Sequence, residues 1–334
     1  MKSKSNLFFR ILAYGLLIFI LLASFGTAFA APANNADSAP LAVPRLGGCQ
    51  IFPTNNIWNT RIDNLPVNAH SAAWVTSIGR STGLHMDFGS GTWDGGPIGI
   101  PYNIAPASLT GVFMGKSQFL YWDESNLGNY PISNNPKIEH GGDHHILMVK
   151  QGECKLYELY AARKVNGIWR ADSGAVWNLA YNNLRPAGWT SADAAGLPIL
   201  PGLVRYEEVA AGRIDHAIRF TIENTAGYIW PARHLTDPAA PNTTPPMGAR
   251  FRLKAGFNIS PYPPRMQVIL RAMKRYGIIV ADNGSDWYIS GAPDPRWDND
   301  ELHTLDNITG NMFEAVDASG LMVSPNSGEA KQLP

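Results

Sequence analysis

Charged side chains are scarce in this sequence. Asp, Glu, Lys and Arg together make up 16% of its 334 residues, whereas soluble domains usually hold about 25%. The 27 basic and 27 acidic residues balance, so neither sign is in excess. This composition excludes a disordered polyampholyte and a coiled coil. It also lacks the basic footprint of a nucleic-acid-binding protein, and we predict no nucleic-acid partner.

Several catalytic motifs are also absent. The chain has no G-x-S-x-G elbow, no H-E-x-x-H helix, no G-x-x-x-x-G-K-[ST] loop and no C-x-x-C pair. These absences argue against a serine hydrolase of that fold, a zincin, a nucleotide enzyme and a redox protein. The chemistries that remain depend on carboxylates, His, Tyr or a metal ion.

Long apolar runs are confined to the N-terminus. Three basic residues accompany an almost wholly apolar stretch over 11–25, and Ala28 and Ala30 supply an A-x-A cleavage site. This pattern predicts a signal peptide over 1–30 and a secreted protein, with an uncleaved anchor helix as the alternative. We predict no stable membrane insertion after cleavage, because no other stretch has the roughly 18 apolar residues of a span. Cleavage leaves 24 basic and 27 acidic residues, a net charge of −3.

Cysteine occurs only twice, at positions 49 and 154. Two cysteines are too few for a disulfide-dense miniprotein. An even pair in an oxidising compartment forms a disulfide by default, so we predict a Cys49–Cys154 bond. Two buried free thiols are the alternative.

The segments between the termini predict a mainly β fold. We expect a linker over 31–46, one β-rich domain over 47–318 and a frayed polar tail over 319–334. Many short strands and few helices indicate a β-sandwich or jelly-roll-like core, and we expect a monomer. One amphipathic helix is clear, with Pro264 in its first turn and Gly277 at its end. Shorter helices are expected at 71–78 and 190–195.

Three titratable residues interrupt apolar faces of predicted strands. Strict alternation over 213–222 places His216 among isoleucines and Arg219 on the opposite, solvated face. His145 and Glu158 interrupt two further strand faces in the same way. If these residues converge, they form a general acid/base site with shifted pKa values. Asp282 is a fourth candidate, because it ends an apolar strand beside a tight turn. The alternative is separate core groups, each satisfied locally.

Two further sets of residues suggest ligands. The run over 139–145 contains five possible metal ligands, and His140, Asp143 and His144 are weak candidates. We predict no cofactor and no tightly bound transition metal, although a divalent metal is compatible with the run. Flat aromatic faces suit sugars, so we predict a substrate-binding role for three tryptophans and one arginine. The alternative for each tryptophan is that it packs in the core. The four residues are Trp93, Trp189, Trp287 and Arg205.

Two blocks of sequence resemble a known group of proteins. The blocks are LRPAGWTSADAAGLPILPGLVRYEEV over 184–209 and YGIIVADNGSDWYISGAPDPRW over 276–297. They resemble secreted bacterial proteins to which no function is assigned, and the likeness extends over most of the mature chain. The resemblance implies secretion from a bacterium and a single domain of conserved length, and it implies no activity.

Together these observations favour a secreted carbohydrate-active enzyme, a glycoside hydrolase or a polysaccharide lyase, with extracellular polysaccharide as its partner. A non-catalytic carbohydrate-binding or cell-surface module is the alternative, and a metal-dependent extracellular enzyme is a third. Catalysis predicts that His145, Glu158 and His216 line one open cleft. A binding module predicts an aromatic platform without such a cluster.

Overall fold

Short strands supply most of the regular structure of this protein. The structure is a computed structural model, and it describes residues 43–237 and 241–332. The predicted signal peptide and most of the predicted linker lie outside the described residues. The strands are β1 (Arg45–Leu46), β2 (Cys49–Gln50), β3 (His85–Asp87), β4 (Thr92–Trp93), β5 (Gly96–Pro97), β6 (Tyr102–Ala105), β7 (Val112–Met114), β8 (Gly128–Tyr130), β9 (Ile146–Lys150), β10 (Lys155–Tyr160), β11 (Arg163–Val165), β12 (Ile168–Arg170), β13 (Ser173–Asn178), β14 (Ile218–Ile222), β15 (Arg250–Leu253), β16 (Ile278–Asn283), β17 (Tyr288–Ser290) and β18 (Phe313–Val316). The helices are α1 (Ser71–Ile78), α2 (Tyr206–Ala210), α3 (Pro264–Arg275) and α4 (Asn299–His303).

Two sheets carry the architecture. One has six strands in the order β18-β15-β16-β14-β17-β3, and the other has four in the order β13-β10-β9-β6. The prediction of a mainly β fold is confirmed. The pairs β14–β16, β17–β3 and β6–β9 are parallel, which differs from the antiparallel pairing of a jelly roll. Parallel neighbours need long crossover connections, and the segment that joins β14 to β16 includes β15 and α3.

The two clearest helices are where the sequence predicts them. The amphipathic pattern of α3 buries Met266, Ile269, Leu270 and Met273. The helix is followed by Gly277, whose φ of +70° lies in the left-handed region that glycine adopts without strain. Helix α1 spans the predicted residues 71–78. None of the helices in the described ranges is long and apolar enough to cross a bilayer.

Both faces of the four-stranded sheet are covered. Leu147 and Leu156 lie on the face that shares a large core with Phe220 of the six-stranded sheet. On the opposite face, Ile146 and Met148 belong to a second core cluster with aromatic residues of the loops. A strand that is buried on both sides does not alternate between apolar and polar residues, which explains the continuous apolar run of β9.

The predicted disulfide is present. Cys49 and Cys154 are bonded with an S–S distance of 2.04 Å and Cα atoms 5.3 Å apart. The bond joins β2 to the turn that precedes β10 and closes a separation of 105 residues.

The C-terminal stretch differs from the frayed tail that its polar sequence predicts. Leu321 and Ala330 are buried. The Ala330 N–H donates to the Asn55 carbonyl at 2.7 Å, and Met322 bridges to Ala330. Backbone pairing and two apolar side chains therefore hold residues 319–332 on the domain despite their polar composition.

Candidate functional site

An open cavity of about 430 Å³ lies where strands of the two sheets end. Tyr160 and Ser173 come from the four-stranded sheet, and Asp282 and Asn283 come from the six-stranded sheet. The loop over 190–194 forms a further wall. Most of the lining side chains carry a hydroxyl, carboxylate, amide or imidazole group. They are Tyr121, Glu124, Asp143, Tyr160, Ser173, Thr190, Ser191, Ala192, Asp193, Ala194, His234, Thr236, Asp282 and Asn283.

Arg219 holds two carboxylates at this cavity. Its Nε and Nη2 donate to the two oxygens of Asp193 at 2.9 and 2.7 Å, and Nη2 also donates to Asp282 Oδ2 at 2.8 Å. Its Nη1 donates to Ser290 Oγ at 2.5 Å. Arg219 is only 4% exposed, so the prediction that it lies on a solvated face was wrong. The reason is that β14 is a central strand with both faces buried.

Asp282 is the more exposed of the two carboxylates in this cluster, both of which line the cavity. Burial raises the pKa of Asp282 well above the usual range of an aspartate. The charge of Asp193 and a hydrogen bond to Asp193 raise this pKa further, whereas the charge of Arg219 lowers it. Asp282 therefore keeps its proton at pH values at which an exposed aspartate is ionised. Of the four candidate catalytic residues, it alone lines the cavity.

The wall that carries Asp193 is a bend, and the short helix predicted at 190–195 was wrong. Ser191 Oγ accepts the Asp193 N–H at 2.9 Å and donates to the Leu197 carbonyl at 2.6 Å. A serine side chain that bonds to its own backbone competes with helix formation. This bend directs the Asp193 carboxylate toward Arg219.

His145 supports the same loop from behind. The imidazole is buried, with Nδ1 2.5 Å from Glu139 Oε2 and Nε2 2.9 Å from the Ala192 carbonyl. Burial lowers the pKa of His145, but the charge of Glu139 and the hydrogen bond to it outweigh burial and raise the pKa to about 9. A protonated ring donates to both partners, so His145 ties the run over 139–145 to the loop over 190–200.

Glu158 anchors the far end of that loop. Its carboxylate is fully buried and accepts the Ile199 N–H at 3.0 Å and the Leu200 N–H at 2.9 Å. Burial raises the pKa of Glu158 to about 7, although these two backbone hydrogen bonds oppose the rise. Neither Glu158 nor His145 lines the cavity, and both act as positioning residues for its wall.

The raised pKa of Glu158 predicts a pH dependence of stability. The folded protein holds this proton up to about pH 7, whereas the unfolded chain releases it near pH 4.5. The contribution of Glu158 to stability therefore falls as pH rises between these values. We compare the free energy of unfolding of Glu158→Gln with that of wild type. We expect this difference to favour the variant by about 2–3 kcal/mol more at pH 8 than at pH 5. A glutamine Oε1 can still accept both backbone N–H groups.

Urea denaturation of both proteins at pH 5 and pH 8 measures this difference. Glu153→Gln is the control, because Glu153 is mostly exposed and its hydrogen bonds to Lys150 and Lys155 lower its pKa. A relative stability of Glu158→Gln that does not change with pH would show that Glu158 titrates normally.

His216 lies in a different buried network. Its Nε2 is 3.1 Å from Glu208 Oε2, and its Nδ1 is 2.8 Å from the Ala217 carbonyl. Arg205 completes this network through a short contact with Glu208 and a 3.2 Å approach of its Nε to Glu207. His216 and Arg205 are both buried and do not line the cavity. The expected convergence of His216 with the other candidates is therefore not observed, and Arg205 is inaccessible to a substrate.

The candidate tryptophans have different environments. Trp287 is fully buried and stacks on Phe220 with ring centroids 5.7 Å apart, so its assignment to substrate binding was wrong. Trp189 is half-buried, with the Arg185 guanidinium 5.5 Å from its ring. Trp93 is 73% exposed. The aromatic side chains that do line the first cavity, Tyr121 and Tyr160, were not identified from the sequence.

Trp93 borders a second cavity of about 590 Å³. Apolar and aromatic groups dominate its walls, and His140 and Gly141 belong to them. Asp143, two residues further along, lines the first cavity. The segment over 139–145 therefore contributes residues to the walls of both cavities.

This segment also brings three possible metal ligands together. The ligand atoms of Glu139, Asp143 and His145 all lie within 4.8 Å of one another. Of the weak candidates from the sequence, only Asp143 belongs to this group. His140 Nε2 is 2.8 Å from the Asp94 carbonyl, and His144 Nδ1 is 3.4 Å from the Glu139 carbonyl.

No family model, curated protein or solved structure matches this chain. The resemblance based on the two sequence blocks stays a prediction. The first block contains Asp193 and the second contains Asp282. The blocks thus supply the two carboxylates that Arg219 joins at the cavity.

Proposed function

We propose that this protein is a secreted glycoside hydrolase that cleaves a polysaccharide in the first cavity, with Asp282 as the general acid. The observation that carries the proposal is the Asp282–Asp193–Arg219 cluster at the cavity wall. It presents a carboxyl group with a raised pKa to an open polar cavity. Glycoside hydrolysis needs such a group, because the leaving glycosidic oxygen must be protonated as its bond to the anomeric carbon breaks.

The cluster can hold Asp282 in its protonated form. Arg219 donates two hydrogen bonds to Asp193 and one to Asp282. Two neighbouring carboxyl groups cannot both ionise without a large energetic cost. Burial and the charge of Asp193 raise the pKa of Asp282 more than Arg219 lowers it, so the proton remains on Asp282. Asp143 lines the same cavity and is exposed. It is a candidate for the second carboxylate, which activates water or attacks the sugar.

The charge of the cavity favours hydrolysis of a neutral glycan. Besides the protonated Asp282 and the Arg219-paired Asp193, the acidic residues Glu124 and Asp143 line it. Among the described residues, no lysine or arginine lines it. A lyase acting on uronic acids would need cationic groups to neutralise the substrate carboxylate. An acidic wall repels such a polymer, whereas hydroxyl, amide and carboxylate groups match the hydroxyls of a neutral sugar. Tyr121, which is 47% exposed, offers an aromatic face for stacking.

Asp282→Asn tests the acid directly. We expect the variant to fold and to lose about 10²-fold or more in kcat, the scale for loss of a general acid. The assay is reducing-end release from a panel of neutral and acidic polysaccharides. Asp286→Asn is the matched control, because Asp286 follows in the same turn, accepts the Glu223 N–H at 2.9 Å and does not line the cavity. Full activity of Asp282→Asn with retained folding would refute the assignment.

A non-catalytic carbohydrate-binding module is the second candidate, and the exposed Trp93 beside the second cavity favours it. In that case no polymer is cleaved, Trp93→Ala abolishes binding to a glycan, and Asp282→Asn leaves binding unchanged. Isothermal titration with soluble oligosaccharides separates the two candidates.

A further inference from the structure

We propose that Glu139, Asp143 and His145 form a binding site for a divalent cation of the zinc class, at the junction of the two cavities. One imidazole nitrogen and two carboxylates lie within 4.8 Å of one another. This mixed donor set suits Zn²⁺ and related transition metals, whose bonds to nitrogen and oxygen are about 2.0–2.2 Å. Such bonds place tetrahedral ligands about 3.3 Å apart, so the three groups need small movements to close on an ion.

The orientation of His145 is that of a metal ligand. A metal-bound histidine usually donates its other ring N–H to a carbonyl or carboxylate, which fixes the ring and its tautomer. Here Nε2 lies 2.9 Å from the Ala192 carbonyl, and Nδ1 faces Glu139 Oε2. The proton between Nδ1 and Glu139 occupies the place that a cation takes on binding, and it is released when the metal binds.

The surrounding charge favours a cation. Asp87, at the end of β3, interacts electrostatically with both Glu139 and Asp143. Arg219 is also within electrostatic reach of Glu139. Its guanidinium is already paired with Asp193 and Asp282. Three carboxylates therefore lie within electrostatic reach of one another, and a divalent ion would reduce their mutual repulsion.

The segment leaves one side of the site open. His145 is buried and Glu139 is half-buried, whereas Asp143 is exposed and lines the first cavity. Gly141, with a φ of +122°, turns the chain so that Asp143 comes back toward the other two ligands. The site thus has three protein ligands on one side and solvent on the other. Metal sites with this arrangement keep one coordination position for water or substrate.

Direct titration tests the site without reference to any enzymatic activity. Protein treated with a chelator and then dialysed is titrated with ZnCl₂ by calorimetry, and the metal content after dialysis is measured by elemental analysis. We expect one equivalent of zinc to bind, and Asp143→Asn to weaken binding at least tenfold. Asp143 is exposed, so this variant keeps its fold, which circular dichroism verifies.

His140→Asn and His144→Asn are the matched controls, because they alter imidazoles of the same segment that lie outside the group. Both should bind zinc as wild type does. Absence of zinc binding by the wild type at 100-fold molar excess would overturn the proposal. So would binding that Asp143→Asn leaves intact, or binding that either control abolishes. These outcomes are read from zinc binding alone, so they do not depend on whether the zinc-free protein, in which Asp143 is available as the second carboxylate, cleaves a polysaccharide.

Discussion

Arg219→Ala should destabilise the folded protein by about 3–5 kcal/mol. Removing one partner of a buried ion pair leaves the other charge unpaired in a medium of low dielectric. Asp193 is 1% exposed and would lose both of its hydrogen bonds from Arg219. Asp282 and Ser290 would each lose one. The expected loss is a large fraction of the total stability of a typical domain.

Urea denaturation at neutral pH measures the effect. Arg163→Ala is the matched control, because Arg163 pairs with Asp172 at the surface and its side chain is 48% exposed. Exposed ion pairs contribute about 0–1 kcal/mol. A loss for Arg219→Ala as small as that for Arg163→Ala would mean that no buried ion pair holds Asp193 at the cavity wall.

Loss of the Cys49–Cys154 bond should cost about 4–5 kcal/mol. The bonded cysteines are 105 positions apart in the sequence. A cross-link over a loop of this size lowers the conformational entropy of the unfolded chain, and the chain-entropy relation gives a free energy of this magnitude. The double variant Cys49→Ala/Cys154→Ala should therefore melt well below wild type. A two-cysteine replacement is used because a single one would leave a free thiol.

Reductant supplies the control for this experiment. The melting temperature of wild type should fall when the disulfide is reduced, whereas that of the double variant should be the same with and without reductant. If the reduced wild type and the double variant were both as stable as the oxidised protein, the bond would contribute nothing to folding.

Features set by local pattern were predictable from the sequence. Helix α3 follows from its apolar stripe, and α1 spans the residues expected. The cysteine pair followed from its even count in a chain with a predicted signal peptide. The faces of His145 and Glu158 were also predictable, because strand alternation does not depend on which strand is the neighbour. Glu158 pairs with Leu147 of β9, which belongs to the same core cluster as Leu156 two residues before Glu158.

Features set by sheet topology were not predictable. Alternation in β14 suggested one buried and one solvated face, but the loop that carries Asp193 packs against Arg219 on the second face. Arg219 is consequently buried and not solvated. Asp193 and Asp282 are 89 positions apart in sequence, so only the fold shows that one arginine joins them. His216 precedes β14 and faces α2, which no local pattern specifies.

The loop over 190–200 is attached to both sheets at once. Glu158 of β10 and His145, which directly precedes β9, bond to its backbone, and Arg219 of the other sheet bonds to Asp193. The cavity therefore exists only while the sheets are docked, and a compound that occupies it must stabilise the whole domain. A ligand at 100 times its dissociation constant contributes about 2.7 kcal/mol. The melting temperature thus provides a screen for the natural ligand of this protein that requires no knowledge of the reaction.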